Sequence, residues 1–154
     1  MRKIKIVYQS QTGFTQAFAQ QLAQILHAEL VDTKLIAEKD FERVDMVIYG
    51  GHVSGTRITG FNRFYRQYAD LLPQNFLVFG TGMFPMSLTE VEKLQINSFK
   101  RCQRQPIFRY LQGYPKVALP WHWRLKLKVK GASGAATCGH EAVRPVLEAV
   151  DHLL

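Results

Sequence analysis

Residues 4–26 constrain the fold more than any other stretch of the chain. An apolar strand pattern from Ile4 to Tyr8 runs into a short loop of hydroxyls and glycine. That loop opens directly onto a helical pattern whose apolar face is Phe14, Phe18, Leu22, Ile25 and Leu26. A helix start presents unpaired backbone N–H groups and the positive end of its dipole, so it is suited to anions. Ser10, Thr12 and Thr15 add hydroxyl donors, and Gly13 allows the backbone to approach the anion closely. The loop holds no Lys or Arg. Neutral donors of this kind fit a bound phosphomonoester better than a phosphoryl group in transfer.

Beyond this unit the chain keeps alternating between strand and helix patterns, without an internal repeat. The expected strands are Lys3–Gln9, Ala28–Asp32, Asp45–Gly50, Asn75–Gly80 and Ile107–Leu111. The expected helices are Gly13–His27, Gly60–Leu72, Leu88–Arg101 and His140–Leu153. Short apolar runs between glycines read as strands buried on both faces, and the alternation implies a doubly wound α/β fold with a parallel sheet. Ligands in such sheets sit outside the carboxyl ends of the strands. The loops after the third and fourth expected strands look fit for this. Residues 50–57 carry three glycines and two hydroxyls, and Gly80-Thr81-Gly82-Met83-Phe84-Pro85 follows the other.

The stretch Ile6, Val7, Tyr8, Ser10, Gly13, Thr15, Ala19 and Leu22 resembles the N-terminal signature of flavodoxins: two aliphatics, an aromatic, Ser-x-x-Gly-x-Thr, then Ala and an aliphatic. The resemblance implies a five-stranded sheet of order 2-1-3-4-5 and FMN at the switch point, for which flavodoxin is the standing example. It further implies that Ser10, Gln11, Thr12, Gly13, Phe14 and Thr15 hold the FMN phosphate. His52, Val53, Ser54 and Gly55 with Thr81, Gly82 and Met83 would flank the flavin ring. The Trp and Tyr that often sandwich the ring in electron carriers are absent from both loops, leaving His52, Val53, Met83 and Phe84 as substitutes.

At 154 residues, nearly half of them apolar, the chain is read as one domain over 1–154 with a sizeable core. It has no run of about twenty apolar residues for a membrane span, and its start does not read as a signal peptide. Cys102 and Cys138 do not suggest a disulfide framework, so reduced thiols and a cytoplasmic protein are the simpler expectation. The net charge of +8 is uneven. Residues 1–92 hold nine basic and nine acidic side chains, whereas Lys93–Lys130 holds ten basic and no acidic ones. Electron-carrying flavodoxins are typically acidic. The basic excess therefore points to an anionic partner, whether a redox partner protein or an anionic membrane surface met through residues 93–130, with a merely solvated face as the alternative.

Within that region, Trp121 to Lys130 alternates apolar and basic residues, suited to a membrane interface or a quinone-like apolar partner. A basic aromatic segment at about 113–130 before the last helix is also loosely similar to menaquinone-dependent protoporphyrinogen oxidases. That likeness implies an FMN-dependent oxidoreductase coupled to a quinone as the alternative to an electron-transfer protein.

Other chemistries fit less well. Cys138 to Arg144 has the Cys-x5-Arg spacing of tyrosine phosphatases, but Glu141 inside the loop would repel an anionic substrate. The first strand ends without the carboxylates of a response regulator. There is no Gly-x-Gly-x-x-Gly fingerprint, no Gly-x-Ser-x-Gly elbow and no paired zinc-ligand spacing. No nucleic-acid module accompanies the positive charge, so no specific nucleic acid is expected. No side chain stands out as a general acid or base, and no metal site is expected.

Overall fold

A computed structural model describes residues 2–11, 13–113 and 140–153. Its central strand, β1 (Ile4–Tyr8), is buried along its whole length. Strand alternation sends Ile4, Ile6 and Tyr8 to one face and Val7 to the other. β1 pairs in parallel with β2 (Glu29–Asp32) on one side and with β3 (Met46–Ser54) on the other. β3 pairs in parallel with β5 (Asn75–Gly82), and β5 with β6 (Ile107–Gln112). The two-residue strand β4 (Arg57–Ile58) joins β3 as an antiparallel hairpin. The main path is β2-β1-β3-β5-β6, the order 2-1-3-4-5 of the five parallel strands that the resemblance implied.

Among the described residues, four helices cover the sheet. α1 (Phe14–Leu26) and α4 (His140–Leu153) bury Phe14, Phe18, Leu22, Val143 and Val146 against one face. α2 (Phe61–Tyr68) and α3 (Leu88–Phe99) bury Phe61, Phe64, Tyr68, Leu94 and Phe99 against the other. The second face is strongly aromatic. Tyr49 stacks on Phe64 with centroids 4.8 Å apart, and Phe61 meets Phe99 edge-on at 5.1 Å.

Three expectations need correction. The third strand does not stop at Gly50 but continues to Ser54, with Gly50 opposite Phe79, Gly51 opposite Gly80 and His52 opposite Thr81. The glycines mark close approach rather than a strand end: a Cβ at Gly50 would overlap the Phe79 ring, and one at Gly51 would lie 2.6 Å from the Thr59 carbonyl oxygen. The expected helix 60–72 is shorter, with a 3-10 turn from Ala69 to Leu71 closing it before Pro73. β4 adds a sixth strand, and a 3-10 turn spans Glu38–Phe41. The basic aromatic segment at 113–130 lies outside the described residues, apart from Gly113.

Candidate cofactor site

The loop between β1 and α1 leaves the sheet at Gln9, whose N–H donates to the Gly50 carbonyl at 3.0 Å. Gly13 then sits at φ 83°, a left-handed conformation that turns the chain into α1 and that glycine adopts without strain. Gly13 offers α1 no side-chain cap, and the first turn of the helix holds no acidic residue. An added Cβ on Gly13 would meet nothing within 4 Å, so the space above the helix start is open. Ser10 shapes the loop by accepting the Gly13 N–H on Oγ at 3.0 Å, which leaves its own O–H free to donate outward. The donors, the dipole and the open space fit a phosphate.

The other two segments converge on this helix start. Thr15 and Thr81 are both buried, and their hydroxyl oxygens lie 2.8 Å apart. Each hydroxyl has one proton, so whichever donates within the pair, the other keeps a proton for a ligand. His52 stands opposite Thr81 in the ladder and meets Phe14 edge-on at 6.4 Å. His52 is exposed, but desolvation by the groups around it pulls its imidazole below the ordinary value, and hydrogen bonding to the Thr81 backbone partly offsets this. His52 is therefore largely neutral at pH 7. Thr12 lies outside the described residues.

Both flanking loops are braced by residues that the sequence reading missed. The His52 carbonyl accepts from Thr59 twice, from N–H at 2.8 Å and from Oγ1 at 2.9 Å. Tyr49 donates its hydroxyl to the Thr59 carbonyl at 2.7 Å, and Asn97 of α3 donates Nδ2–H to the Thr56 carbonyl at 2.8 Å. Gly55 turns the hairpin at φ 61°, placing Ser54 opposite Arg57. After β5, the Tyr110 hydroxyl donates to the Phe84 carbonyl at 2.5 Å, and Gln112 Nε2–H donates to the Met83 carbonyl at 3.4 Å. A Cβ on Gly82 would overlap the Tyr110 hydroxyl, so this brace requires glycine there. Only the glycine at 82 was legible in the sequence; the braces come from strands and helices far along the chain.

The arrangement brings Ser10, Gly13, Phe14 and Thr15 together with His52 and Thr81 at the carboxyl ends of β1, β3 and β5. Val53 and Ser54 end β3 and Gly82 ends β5, with Gly55 and Met83 on the loops that follow them. Gln11 is exposed at the loop tip and borders a separate cavity. Arg144, weighed above with Cys138 as a phosphatase pair, lies on α4 and pairs with Glu141 at 2.7 Å; Cys138 lies outside the described residues. Among the described residues no group of three or more His, Cys, Asp or Glu side chains is placed to hold a metal ion. No helix among them is long and apolar enough to cross a membrane.

A family model described as a flavodoxin domain matches residues 5–113. No curated protein matches the chain. Among solved structures, a flavodoxin, WrbA-like protein from Agrobacterium tumefaciens aligns with a TM-score of 0.56 at 14% identity, covering 86% of this chain and 95% of that one. The two-electron reduced flavodoxin of Megasphaera elsdenii aligns at 0.54 and 17% identity, covering 75% of this chain and 90% of that one. Rubredoxin oxygen:oxidoreductase from Desulfovibrio gigas aligns at 0.51 and 17% identity, covering 86% of this chain and 35% of that much longer one. At these identities the structural likeness concerns the fold.

Proposed function

The chain belongs to the flavodoxin domain family and is an FMN-binding redox protein, and on that footing we propose that it transfers electrons to or from a redox partner protein. Bound FMN supplies the redox chemistry. Ser10, Gln11, Thr12, Gly13, Phe14 and Thr15 hold its phosphate through loop hydroxyls and the open α1 start. His52 to Gly55 and Thr81 to Met83 flank its ring, and the whole chain forms one domain. The observation that carries this reading is the contiguity of Thr15, Thr81 and His52, which links the phosphate loop to both ring loops through a 2.8 Å hydroxyl pair and the β3–β5 ladder.

The partner is acidic on this reading. Lys93, Lys100, Arg101, Arg104 and Arg109 are exposed on α3, the loop after it and β6. Exposed Glu90 and Glu92 share α3 with Lys93, so the positive charge is concentrated on the loop after α3 and on β6; such a surface steers an oppositely charged partner and makes association fall with salt.

The decisive experiment is reconstitution with FMN, followed by anaerobic mixing of the reduced protein with an acidic iron–sulfur carrier and, separately, with a water-soluble menaquinone analogue. Flavin absorbance after gel filtration with salt-sensitive electron transfer to the carrier supports the reading. Turnover with the quinone alone would replace it by the enzyme alternative, and co-sedimentation with anionic vesicles would assign the basic surface to lipid. Failure to retain FMN would overturn the placement of the site.

A further inference from the structure

Lys34 and Arg63 border a cavity of about 760 Å³ that the flavin reading does not use. Its size is that of a small-molecule site. It lies on the α2 face of the sheet: Phe64 and Tyr68 belong to the aromatic core there, with Ile36 packed against it. Phe14 and Met83, by contrast, belong to the core on the opposite face, whereas Val53 packs against the α2-face core. None of residues 13–15, 52–55 or 81–83 lines the cavity, and only Ser10 and Gln11 border both regions.

The lining has a marked chemistry. Phe64, Tyr68 and Ile36 form an apolar wall, while the carboxamides of Gln9, Gln11 and Gln67 stand beside them. Lys34 and Arg63 are exposed at the rim, where the solvent-facing ends of their side chains can reach an anion. No Asp or Glu lines the cavity. Asp32, the nearest acid in sequence, is not among the lining residues and accepts the Lys34 backbone N–H at 2.9 Å. Gly60, at φ 75°, also lines the wall and starts α2 without a side-chain cap. An aromatic wall, amides to meet a ring edge, and two cations without a competing carboxylate together select a planar heterocycle carrying negative charge.

We propose that this cavity binds a nucleoside phosphate, with the base against Phe64, Tyr68 and Ile36 and the phosphates between Lys34 and Arg63. On this proposal the site adjoins the flavin site and stays open while FMN is bound. Ser10 and Gln11, at the boundary of the two, place the nucleotide beside the flavin phosphate loop.

The test is calorimetric titration of ADP into the FMN-loaded protein, with adenosine and pyrophosphate as partial ligands. Saturable binding of ADP, tighter than that of either partial ligand, is expected. Lys34→Ala and Arg63→Ala should each weaken ADP by about tenfold, the scale of a lost charge-assisted contact. FMN affinity should be unchanged in both variants, which also shows that they are folded. Three results would overturn the proposal: no binding to the FMN-loaded protein, equal binding of pyrophosphate and ADP, or ADP binding that neither substitution affects. ADP binding only to the flavin-free protein, displaced by FMN, would assign the cavity to the flavin site instead.

Discussion

The Thr15 and Thr81 hydroxyls form a buried pair, 2.8 Å apart, that ties the first turn of α1 to the end of β5 across 66 positions of sequence. Removing one partner strands the other in a buried place. Thr15→Val or Thr81→Val should therefore each lower stability by about 1–3 kcal/mol. The double variant should cost less than the sum of the two, because neither hydroxyl is then left alone. Urea denaturation of the four proteins in the cycle measures the coupling. Strictly additive losses would show that the two hydroxyls do not interact.

Tyr110 holds the loop after β5 by donating to the Phe84 carbonyl. Burial, with the Glu90 charge adding to it, pushes its phenol up to about 12. A phenol raised in the fold contributes stability that is complete below the ordinary value of about 10 and is lost as pH rises toward about 12. Tyr110→Phe should lower stability by about 1 kcal/mol at neutral pH and flatten the alkaline fall between those two values. Amide exchange at Met83, Phe84 and Met86 should quicken in the variant. An unchanged exchange rate would show that the hydroxyl does not restrain the loop.

His52 offers a local probe of the same site. Its imidazole is held below the ordinary value of about 6.5. The folded state thus resists protonation, and the contribution to stability present above that value is lost as pH falls below it. Phe14→Ala removes the ring that meets His52 edge-on and should raise the midpoint of His52 in an NMR titration. A midpoint that does not move would exclude Phe14 as a source of the desolvation.

At the opposite end of the sheet, the Lys5 ammonium is buried, hydrogen-bonded to Glu29 and 3.5 Å from Asp40. The Lys5 contact is the main cause that lowers the Glu29 carboxyl from its ordinary value, Lys3 adding to it. The matching stability is present above about pH 4.3 and is lost as pH falls into the acid range. Glu29→Gln should lower stability at pH 8, modestly because Glu29 itself is exposed and Asp40 still faces Lys5, and should reduce the acid sensitivity by the same amount. An unaltered acid midpoint would show that the pair does not contribute.

Much of this architecture was legible because its signals are local. The apolar runs at Ile4–Tyr8 and Met46–Tyr49, the helical spacing of Phe14, Phe18 and Leu22, and the glycine at 13 each report on neighbours in sequence. Gly50 and Gly51 misled for a physical reason. A glycine that ends a strand and one that makes room for a facing ring look the same in sequence, and only the register with Phe79 and Gly80 separates them. Thr59, Asn97, Tyr110 and Gln112 were not foreseen as braces, because each acts on a loop brought near only by the fold. The ion group of Lys5, Glu29 and Asp40 was hidden likewise: a lysine inside an apolar strand reveals no partner until β2 and the turn at Glu38–Phe41 are placed beside it.

The extension of β3 past Gly50 gives the two segments proposed to flank the flavin ring a shared hydrogen-bonded ladder as far as His52 and Thr81. Widening the gap between them would break backbone hydrogen bonds, so the dipoles on both sides keep their orientation when the charge between them changes. Fixed dipoles need little rearrangement as an electron arrives or leaves. On the proposed electron-transfer reading, the small reorganisation that would follow favours rapid exchange with the partner protein.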